Sequence, residues 1–200
     1  MTVIAVIAAG AMGSNVGRKL VDAGNIVLTD LDGRSDATRK RAHDAGMIHA
    51  SWTDIIRKAD MILSIIPPRD AISFAERVLS EFQGTERVDK APLVFADCNA
   101  VNVVTIKKTA ALFSTSPIVF LDACIIGGPP DGDYVPTFYG SADVVDQQGL
   151  TLFNNVIEKS GIKVRILSGD GAGIGDASAL KMSYAASISL HLVFYCSFLY

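Results

Sequence analysis

The first 170 residues alternate short apolar segments with longer amphipathic ones, and this alternation constrains the fold more than any other feature of the sequence. The short segments are apolar or β-branched almost throughout and are bounded by Gly, Pro or Asp, which is typical of strands buried on both faces. We predict strands at Val3–Ile7, Ile26–Thr29, Met61–Ile65, Leu93–Asp97, Ile118–Ala123 and Val164–Leu167, with Thr137–Gly140 as a candidate for one further short strand.

The segments between these strands have the spacing of apolar residues that is typical of amphipathic helices. Ser51 followed by Asp54 also resembles a capping box, with Asp in place of the usual Glu. This alternation predicts an α/β fold, in which helices cover both faces of a doubly wound, mostly parallel sheet. The predicted helices are Gly13–Ala23, Ser35–Ala45, Ser51–Lys58, Asp70–Phe82, Asn102–Phe113 and Gln147–Ser160, and a glycine-rich loop at Gly169–Gly175 precedes a last helix.

The turn between the first strand and the first helix reads Ala8-Ala9-Gly10-Ala11-Met12-Gly13. A dinucleotide-binding turn needs glycines, because its backbone approaches a pyrophosphate and its helix packs closely on the strand. Gly10 suits the first requirement and Gly13 the second, whereas Ala8 stands where the fingerprint has its first glycine. We therefore predict a Rossmann-type domain that binds the pyrophosphate with residues 9–13, at the helix N-terminus. The alternative is an ordinary tight turn between a strand and a helix.

The residues that follow the second predicted strand lie about 20 positions after the turn, where dinucleotide-binding proteins contact the adenosine ribose. Asp30 suits NAD, because a carboxylate accepts hydrogen bonds from both ribose hydroxyls and repels a 2′-phosphate. Arg34 and Ser35 suit NADP, through a charge-assisted pair and a hydroxyl donor. Ser35 is equally suited to cap the helix that it precedes. The residues themselves therefore leave both cofactors open.

Composition and charge exclude several classes of protein. The 200 residues are enough for one sizeable domain. Their net charge of −3 argues against a nucleic-acid partner, because proteins that bind nucleic acids typically carry an excess of basic residues. The three cysteines form no C-x-x-C pair, so we expect buried thiols rather than a disulfide framework or a metal site. Because no basic residue precedes the apolar N-terminus, we expect a cytoplasmic protein without a secretory signal.

The last 16 residues, Ala185–Tyr200, contain no charged side chain, although the chain has 18 Lys or Arg and 21 Asp or Glu. A membrane-spanning helix needs about 20 apolar residues, and polar side chains interrupt this segment, so we predict no membrane span. A helix without a charged face is typically buried on all sides. We therefore expect a partner domain or subunit, as in a homodimer, to cover residues 185–200.

Five short motifs follow one another along the chain: Gly10–Gly13, Ser64–Pro68, Asp97–Asn99, Asp122–Gly128 and Gly173–Lys181. Together they resemble the β-hydroxyacid dehydrogenases, the superfamily of 3-hydroxyisobutyrate dehydrogenase, 6-phosphogluconate dehydrogenase and the imine reductases. The resemblance covers residues 3–184 and is closest to the NAD-binding half of a microbial and fungal branch that is similar to 6-phosphogluconate dehydrogenase. It implies an NAD(P)-dependent oxidoreductase that acts on a small alcohol, ketone or imine.

The resemblance also implies which residues bind the cofactor. In the superfamily, the segment that matches Ile66 and Pro67 packs near the cofactor, and the segment that contains Asn99 lies by the nicotinamide. Residues 33–35 lead into their helix like the segment that binds the 2′-phosphate in NADP-using members. We therefore favour NADP, with NAD as the alternative.

The lysine that matches Lys181 is the general acid/base of the superfamily, and the loop with Ile126, Gly127 and Gly128 contacts the substrate. Tyr184 stands in a region where the superfamily often has Asn, and Ile126 stands where it usually has Ser. Tyr184 is thus a candidate hydrogen-bond or proton donor, although a tyrosine packed in the core fits the sequence equally well. Because two polar groups that hold a hydroxy acid are missing, we expect a substrate other than 3-hydroxyisobutyrate.

The leading hypothesis is therefore an oxidoreductase, and the alternative is a dinucleotide-binding or interaction module without turnover. An S-adenosylmethionine-dependent methyltransferase fits less well, because it leaves Lys181 and Pro67-Pro68 unexplained. We expect a cofactor-binding domain over residues 1–170. Residues 171–200 would carry the lysine helix and an apolar tail, without the second helical domain of the superfamily. On that reading the chain binds cofactor but has little or no activity by itself.

Overall fold

The computed structural model describes residues 1–88 and 90–197, and this part of the chain forms one eight-stranded sheet covered by seven helices. The expected α/β fold is confirmed. The strands are β1 (Val3–Ile7), β2 (Ile26–Thr29), β3 (Ile48–His49), β4 (Met61–Ser64), β5 (Val94–Asp97), β6 (Val119–Ile126), β7 (Thr137–Ser141) and β8 (Lys163–Ile166). The helices are α1 (Ala11–Asp22), α2 (Asp36–Asp44), α3 (Trp52–Lys58), α4 (Ala71–Gln83), α5 (Val103–Leu112), α6 (Gln147–Lys159) and α7 (Asp176–Ser197).

The order of the strands across the sheet is β3-β2-β1-β4-β5-β6-β7-β8. The first six strands in the sequence are parallel to one another, whereas β7 is antiparallel to β6 and β8 is parallel to β7. The sheet grows in one direction from β1 to β3 and in the other from β4 onward. Ligands of open α/β sheets bind outside the carboxyl ends of the strands where the order reverses, which here is between β1 and β4.

The core consists of two apolar layers, one on each face of the sheet. Successive residues of a strand point to opposite faces. In β1, Ile4 and Val6 join the layer that contains α1 and α6, whereas Ala5 and Ile7 join the layer that contains α3, α4 and α5. Because both faces are covered, the central strands are mostly apolar and lack the alternation of a half-exposed strand.

The structure differs from the sequence prediction mainly at two strands. The prediction missed β3, which has only two residues, both exposed, and is too short to show a periodic pattern. β6 extends beyond the predicted end at Ala123, because β7 pairs with it as far as Ile126. The candidate strand at Thr137–Gly140 is confirmed as β7. The predicted cap of α3 is also confirmed, since Ser51 Oγ accepts a hydrogen bond from the amide of Asp54 (3.2 Å).

Two expectations about the chain as a whole can be compared with the structure. Cys98 and Cys124 are buried free thiols, as expected. None of the helices in the described ranges combines the length and apolar character that crossing a membrane requires. The expectation of a covered apolar tail at residues 185–200 depends mostly on the side chains of residues 189–200, and the structure describes none of these side chains.

The start of α7 is fixed by Asp122 of β6. Its Oδ2 accepts hydrogen bonds from the amides of Gly175 (2.9 Å) and Ser178 (3.1 Å), and its Oδ1 accepts one from Ser178 Oγ (2.7 Å). Ser141 Oγ donates a further bond to Oδ2 (3.3 Å). A carboxylate at a helix N-terminus interacts favourably with the free amides and with the helix dipole. This buried contact sets the position of α7 on the sheet.

Asp122 is part of a row of buried polar residues that crosses the sheet. Ser64 of β4 is in register with Asp97 of β5, and Asp97 is in register with Asp122 of β6. Asp97 Oδ1 accepts hydrogen bonds from the amide (2.9 Å) and side chain (2.6 Å) of Asn99, while Oδ2 has no partner among the described residues. Burial raises the pKa of Asp97 to about 6, assisted by the neighbouring Asp122 and opposed by the bonds from Asn99.

We expect Asp97→Asn to change how stability depends on pH. The pKa of this carboxyl rises from 3.8 to about 6 on folding. Its contribution to stability is therefore fully present at low pH and is lost as the pH rises through the folded pKa, by on the order of 3 kcal/mol. The variant lacks this loss, so its free energy of unfolding relative to wild type should rise with pH.

Chemical denaturation between about pH 4.5 and about pH 7.5 measures this difference. Asp133→Asn, which removes an exposed carboxyl from the loop after β6, is the matched control. A stability difference between Asp97→Asn and wild type that stays constant over this range would contradict the prediction.

Candidate functional site

The turn after β1 brings the start of α1 close to the end of β1. Gly10 is the N-cap of α1, and this helix start has no capping side chain and no acidic residue in its first turn. The first amides of α1 and its dipole are therefore available to an anion. A Cβ added at Gly10 would meet no atom within 4 Å, whereas one at Gly13 would overlap the carbonyl oxygen of Ala8. The two glycines thus differ: Gly10 leaves space open, and Gly13 permits close packing.

The other residues of the turn connect it to α2. Ala9 is buried, and its carbonyl oxygen accepts a hydrogen bond from Arg41 Nε (3.3 Å). Met12 is partly buried against the core, and Ala11 is exposed at the first position of α1. Sequence reasoning missed Arg41, whose Nη2 also donates to Thr38 Oγ1 (2.9 Å). In the sequence, only the run of basic residues in α2 could have indicated that Arg41 contacts the turn.

Asp30 lies at the carboxyl end of β2, where the sequence predicted a ribose-binding residue, and it is 5% exposed. Its Oδ2 accepts a hydrogen bond from Trp52 Nε1 (2.8 Å) and lies 3.8 Å from Arg77 Nη2, and its Oδ1 accepts one from the amide of Asp32 (3.0 Å). Asp30, Asp32 and His49 have potential metal-ligand atoms within 4.8 Å of one another. Both oxygens of Asp30 are already engaged by protein donors, so we assign no metal to this group.

A cleft of about 290 Å³ lies between the glycine turn and α4. It brings together three residues that were predicted to bind the cofactor, namely Arg34, Ile66 and Pro67. Ser35, the second predicted phosphate ligand, does not line the cleft, and its Oγ caps α2 by accepting a hydrogen bond from the amide of Thr38 (3.4 Å). The remaining lining residues are Ile7, Ala8, Trp52, Asp70, Ser73, Phe74 and Arg77.

Sequence reasoning missed the aromatic and cationic side of this cleft. Phe74 and Arg77 are three residues apart on α4 and therefore share a face of the helix. Arg77 Cζ lies 4.6 Å from the centroid of the Trp52 ring, and the Trp52 and Phe74 ring centroids are 5.7 Å apart. The spacing on α4 was visible in the sequence, but nothing there indicated that Trp52 of α3 would pack against it.

Asn99, which was expected near the nicotinamide, is buried between the ends of β4 and β5. Its Oδ1 accepts a hydrogen bond from the amide of Ile66 (2.7 Å), and its Nδ2 donates to Ser64 Oγ (2.8 Å) and Asp97 Oδ1 (2.6 Å). This side chain therefore holds the segment after β4 against β5. Through that contact it positions Ile66 and Pro67, which line the cleft.

Lys181 lies on α7 beside the carboxyl end of β6, where its Nζ donates a hydrogen bond to the carbonyl oxygen of Ile125. Burial raises the pKa of the neighbouring Cys124 thiol to about 12, against the opposing effect of the Lys181 charge. Tyr184, one helical turn later, is 42% exposed and is not packed in the core. Because β1, β4, β5 and β6 are parallel, Lys181 lies at the same edge of the sheet as the glycine turn.

The predicted substrate loop follows directly after Ile125. Ile126 is partly buried at the end of β6. Gly127 has a φ of +121°, a conformation that favours glycine, and a Cβ there would overlap the hydroxyl of Tyr134. The amide of Gly128 donates a hydrogen bond to the same hydroxyl (3.1 Å). The lysine and the loop are thus neighbours in the structure, and Tyr134, which the sequence did not single out, shapes the loop.

Several solved structures share this fold. The 3-hydroxyisobutyrate dehydrogenase of Mycobacterium tuberculosis has a TM-score of 0.76 and 19% identity, with 96% of this chain and 62% of that chain covered. An imine reductase variant of Myxococcus stipitatus in complex with NAD+ has a TM-score of 0.73 and 17% identity, covering 98% and 64%. The reductive aminase of Aspergillus terreus, in complex with NADPH4, cyclohexanone and allyl amine, has a TM-score of 0.71 and 12% identity, covering 98% and 64%. The chain therefore spans less than two thirds of the length of these relatives.

No curated protein matches the sequence. Residues 3–165, however, match the family described as the NAD binding domain of 6-phosphogluconate dehydrogenase. The match begins with β1 and extends into β8, so it includes the glycine turn, the cleft and the end of β6. The chain belongs to the family of NAD-binding domains of 6-phosphogluconate dehydrogenase.

Proposed function

We propose that the chain binds NADP as part of an oxidoreductase of the β-hydroxyacid dehydrogenase type, which transfers a hydride to or from a small alcohol, ketone or imine. The start of α1 carries the proposal. It is uncapped, open at Gly10, and held by the packing at Gly13 at the point where the strand order reverses. That combination suits the pyrophosphate of a dinucleotide.

The residues that would hold the cofactor surround this helix start. Residues 9–13 would bind the pyrophosphate, Arg34 the 2′-phosphate of NADP, and Ile66 and Pro67 would contact the cofactor from the β4 side. The engagement of Asp30 by Trp52 and by a backbone amide supports NADP over NAD, because this carboxylate does not need the ribose hydroxyls as partners.

The proposed chemistry depends on Lys181. A bound nicotinamide would supply or accept the hydride. In the direction of reduction, the Lys181 ammonium donates a proton to the substrate oxygen or nitrogen; in the direction of oxidation, the neutral amine accepts it. Lys181 Nζ donates a hydrogen bond to the carbonyl oxygen of Ile125, directly before Ile126, Gly127 and Gly128 in the chain, and this contact supports our proposal that these three residues form the substrate loop. Tyr184 adds a second hydroxyl donor one turn along α7.

In this proposal, residues 1–170 hold the cofactor and residues 171–200 contribute the lysine helix. The competing function is dinucleotide binding without turnover. Both functions require dinucleotide binding at the glycine turn, so binding experiments test both of them. Only a measurement of turnover distinguishes the oxidoreductase from the non-catalytic binding domain.

We expect Gly13→Val to abolish dinucleotide binding, because its side chain would displace α1 from Ala8 and β1. The melting temperature should fall as well. Gly10→Val isolates the effect on binding: with φ −70° and no atom within 4 Å of an added Cβ, a side chain at this position extends from the backbone into open space, where it would occupy the space of the phosphate. Calorimetry should show NADPH affinity lowered by about tenfold or more, at an unchanged melting temperature. Wild-type affinity in Gly10→Val would contradict the assignment of this turn.

We expect Arg34→Ala to weaken NADPH by roughly ten- to a hundredfold and to leave NADH unchanged, because one charge-assisted contact to the 2′-phosphate is lost. Arg165→Ala, which removes an exposed arginine from β8, is the matched control. Parallel titrations with both cofactors measure the effect. If wild type prefers NADH and Arg34→Ala alters neither affinity, Asp30 is the ribose-binding residue and NAD the cofactor.

If the chain turns over substrate, we expect Lys181→Met to lower kcat by roughly 10²–10⁴, the range typical of a lost general acid/base, and to leave cofactor affinity nearly unchanged. Turnover of NADPH on a panel of small aldehydes, ketones and imines measures it, with the exposed Lys163→Met as control. Near-normal turnover in Lys181→Met would remove this lysine from the mechanism. Absence of turnover in wild type, with cofactor binding intact, would favour the non-catalytic function.

A further inference from the structure

Arg77 lies on one side of the cleft in an unusual environment. Its guanidinium carbon is 4.6 Å from the centroid of the Trp52 ring, within the range of a cation–π contact. Its Nη2 lies 3.8 Å from Asp30 Oδ2, and its Nε lies 3.8 Å from Glu81 Oε1. Asp30 also accepts the hydrogen bond of the Trp52 indole. The buried Asp30 carboxylate therefore contacts both the Trp52 indole and the Arg77 guanidinium, which lies over the indole ring.

The two stacked groups differ in their access to the cleft. Trp52 is only 8% exposed, and Phe74 packs against it from α4. The Arg77 side chain is half exposed and lines the cleft beside Ile66 and Pro67. The guanidinium is thus backed by the indole, and a group that enters the cleft can reach it.

The charge of Arg77 is already balanced. Two carboxylates, those of Asp30 and Glu81, lie within 4 Å of its nitrogens. A third anion, such as a phosphate, gains little beside a cation that two carboxylates share. A planar guanidinium is weakly hydrated, however, and stacks well on aromatic rings. The environment of Arg77 therefore suits a flat, uncharged ring better than a phosphate.

We propose that Arg77, held on Trp52 by Asp30, is the platform on which the adenine ring of the dinucleotide stacks. The inference rests on the proposed function. A pyrophosphate at Gly10 directs the adenosine toward the end of β2, and the cleft with Arg34 and Arg77 lies there. Arg77 then contributes to NADH and NADPH alike, whereas Arg34 distinguishes them. Asp30 is a positioning residue for this platform.

The test uses Arg77→Lys and Arg77→Ala, with Arg69→Ala as the control, since Arg69 is exposed and does not line the cleft. Calorimetry compares NADPH, NADH, 5′-ADP and reduced nicotinamide mononucleotide, which lacks adenine. A stacked base typically contributes about fivefold to a hundredfold in affinity. We expect both Arg77 variants to lose roughly tenfold for the three adenine ligands and nothing for the mononucleotide. Arg77→Lys should not restore the affinity, because the lysine ammonium keeps the positive charge but lacks the planar guanidinium.

Trp52 provides a second readout, because it is the only tryptophan of the chain. In wild type, 5′-ADP should change the Trp52 emission and the mononucleotide should not. Asp30→Asn should shift this emission without ligand and should weaken 5′-ADP and 2′,3′-dideoxy-ADP, which lacks both ribose hydroxyls, by the same factor. If Asp30 instead binds the ribose hydroxyls, only 5′-ADP loses affinity, and the positioning role is overturned.

The possible failures can be distinguished. Wild-type affinity for 5′-ADP in both Arg77 variants, with NADPH still bound by wild type, would overturn the platform and leave the proposed function intact. A loss confined to NADPH would mean that Arg77 binds the 2′-phosphate and would also overturn it. An equal loss for the mononucleotide would show a general distortion rather than a lost adenine contact. If wild type binds neither dinucleotide, the proposed function fails and the platform fails with it.

Discussion

The packing of α1 on β1 at Gly13 is the contact on which the rest of the site depends. Any side chain at this position would overlap the carbonyl oxygen of Ala8, so only glycine lets the helix begin directly above the end of the strand. β1 is also the strand from which the sheet grows in both directions. The uncapped end of α1 is therefore held at the crevice that the reversal of strand order leaves open, and both the cleft and the end of β6 lie along the same edge.

A second set of interactions connects the two ends of this edge. Asp122 fixes the start of α7 and hence the place where Lys181 meets β6. The neighbouring Asp97 is tied through Asn99 to the segment that carries Ile66 into the cleft. The segment after β4 and the helix that carries Lys181 are thus both attached to one buried polar row. Placing two carboxylates side by side in the core is costly, and four protein hydrogen bonds offset that cost for Asp122, whereas one oxygen of Asp97 has no partner among the described residues.

Much of the fold could be predicted from the sequence, because it depends on local patterns. Short, mostly apolar runs mark the central strands, and the spacing of Gly10 and Gly13 marks the turn. The two-residue β3 left no such pattern. Contacts between distant residues were equally inaccessible: Trp52 reaches Asp30 across 22 positions, and Arg41 reaches Ala9 across 32. Such pairs follow from how the helices pack on the sheet, which the periodicity of a single segment does not encode.

Asp30 shows why the type of a residue at a binding position does not by itself determine what it binds. An unpaired carboxylate at the end of β2 would repel a 2′-phosphate and would favour ribose hydroxyls. Here the same carboxylate accepts the Trp52 indole and lies beside the Arg77 guanidinium, so its charge is largely compensated within the protein. Arg34 lines the same cleft as Trp52 and Arg77, the two side chains that engage this carboxylate. In this environment an aspartate at the end of β2 is compatible with NADP. Its hydrogen-bond and ion-pair partners, rather than the residue type alone, determine the electrostatic potential at the cofactor-binding position.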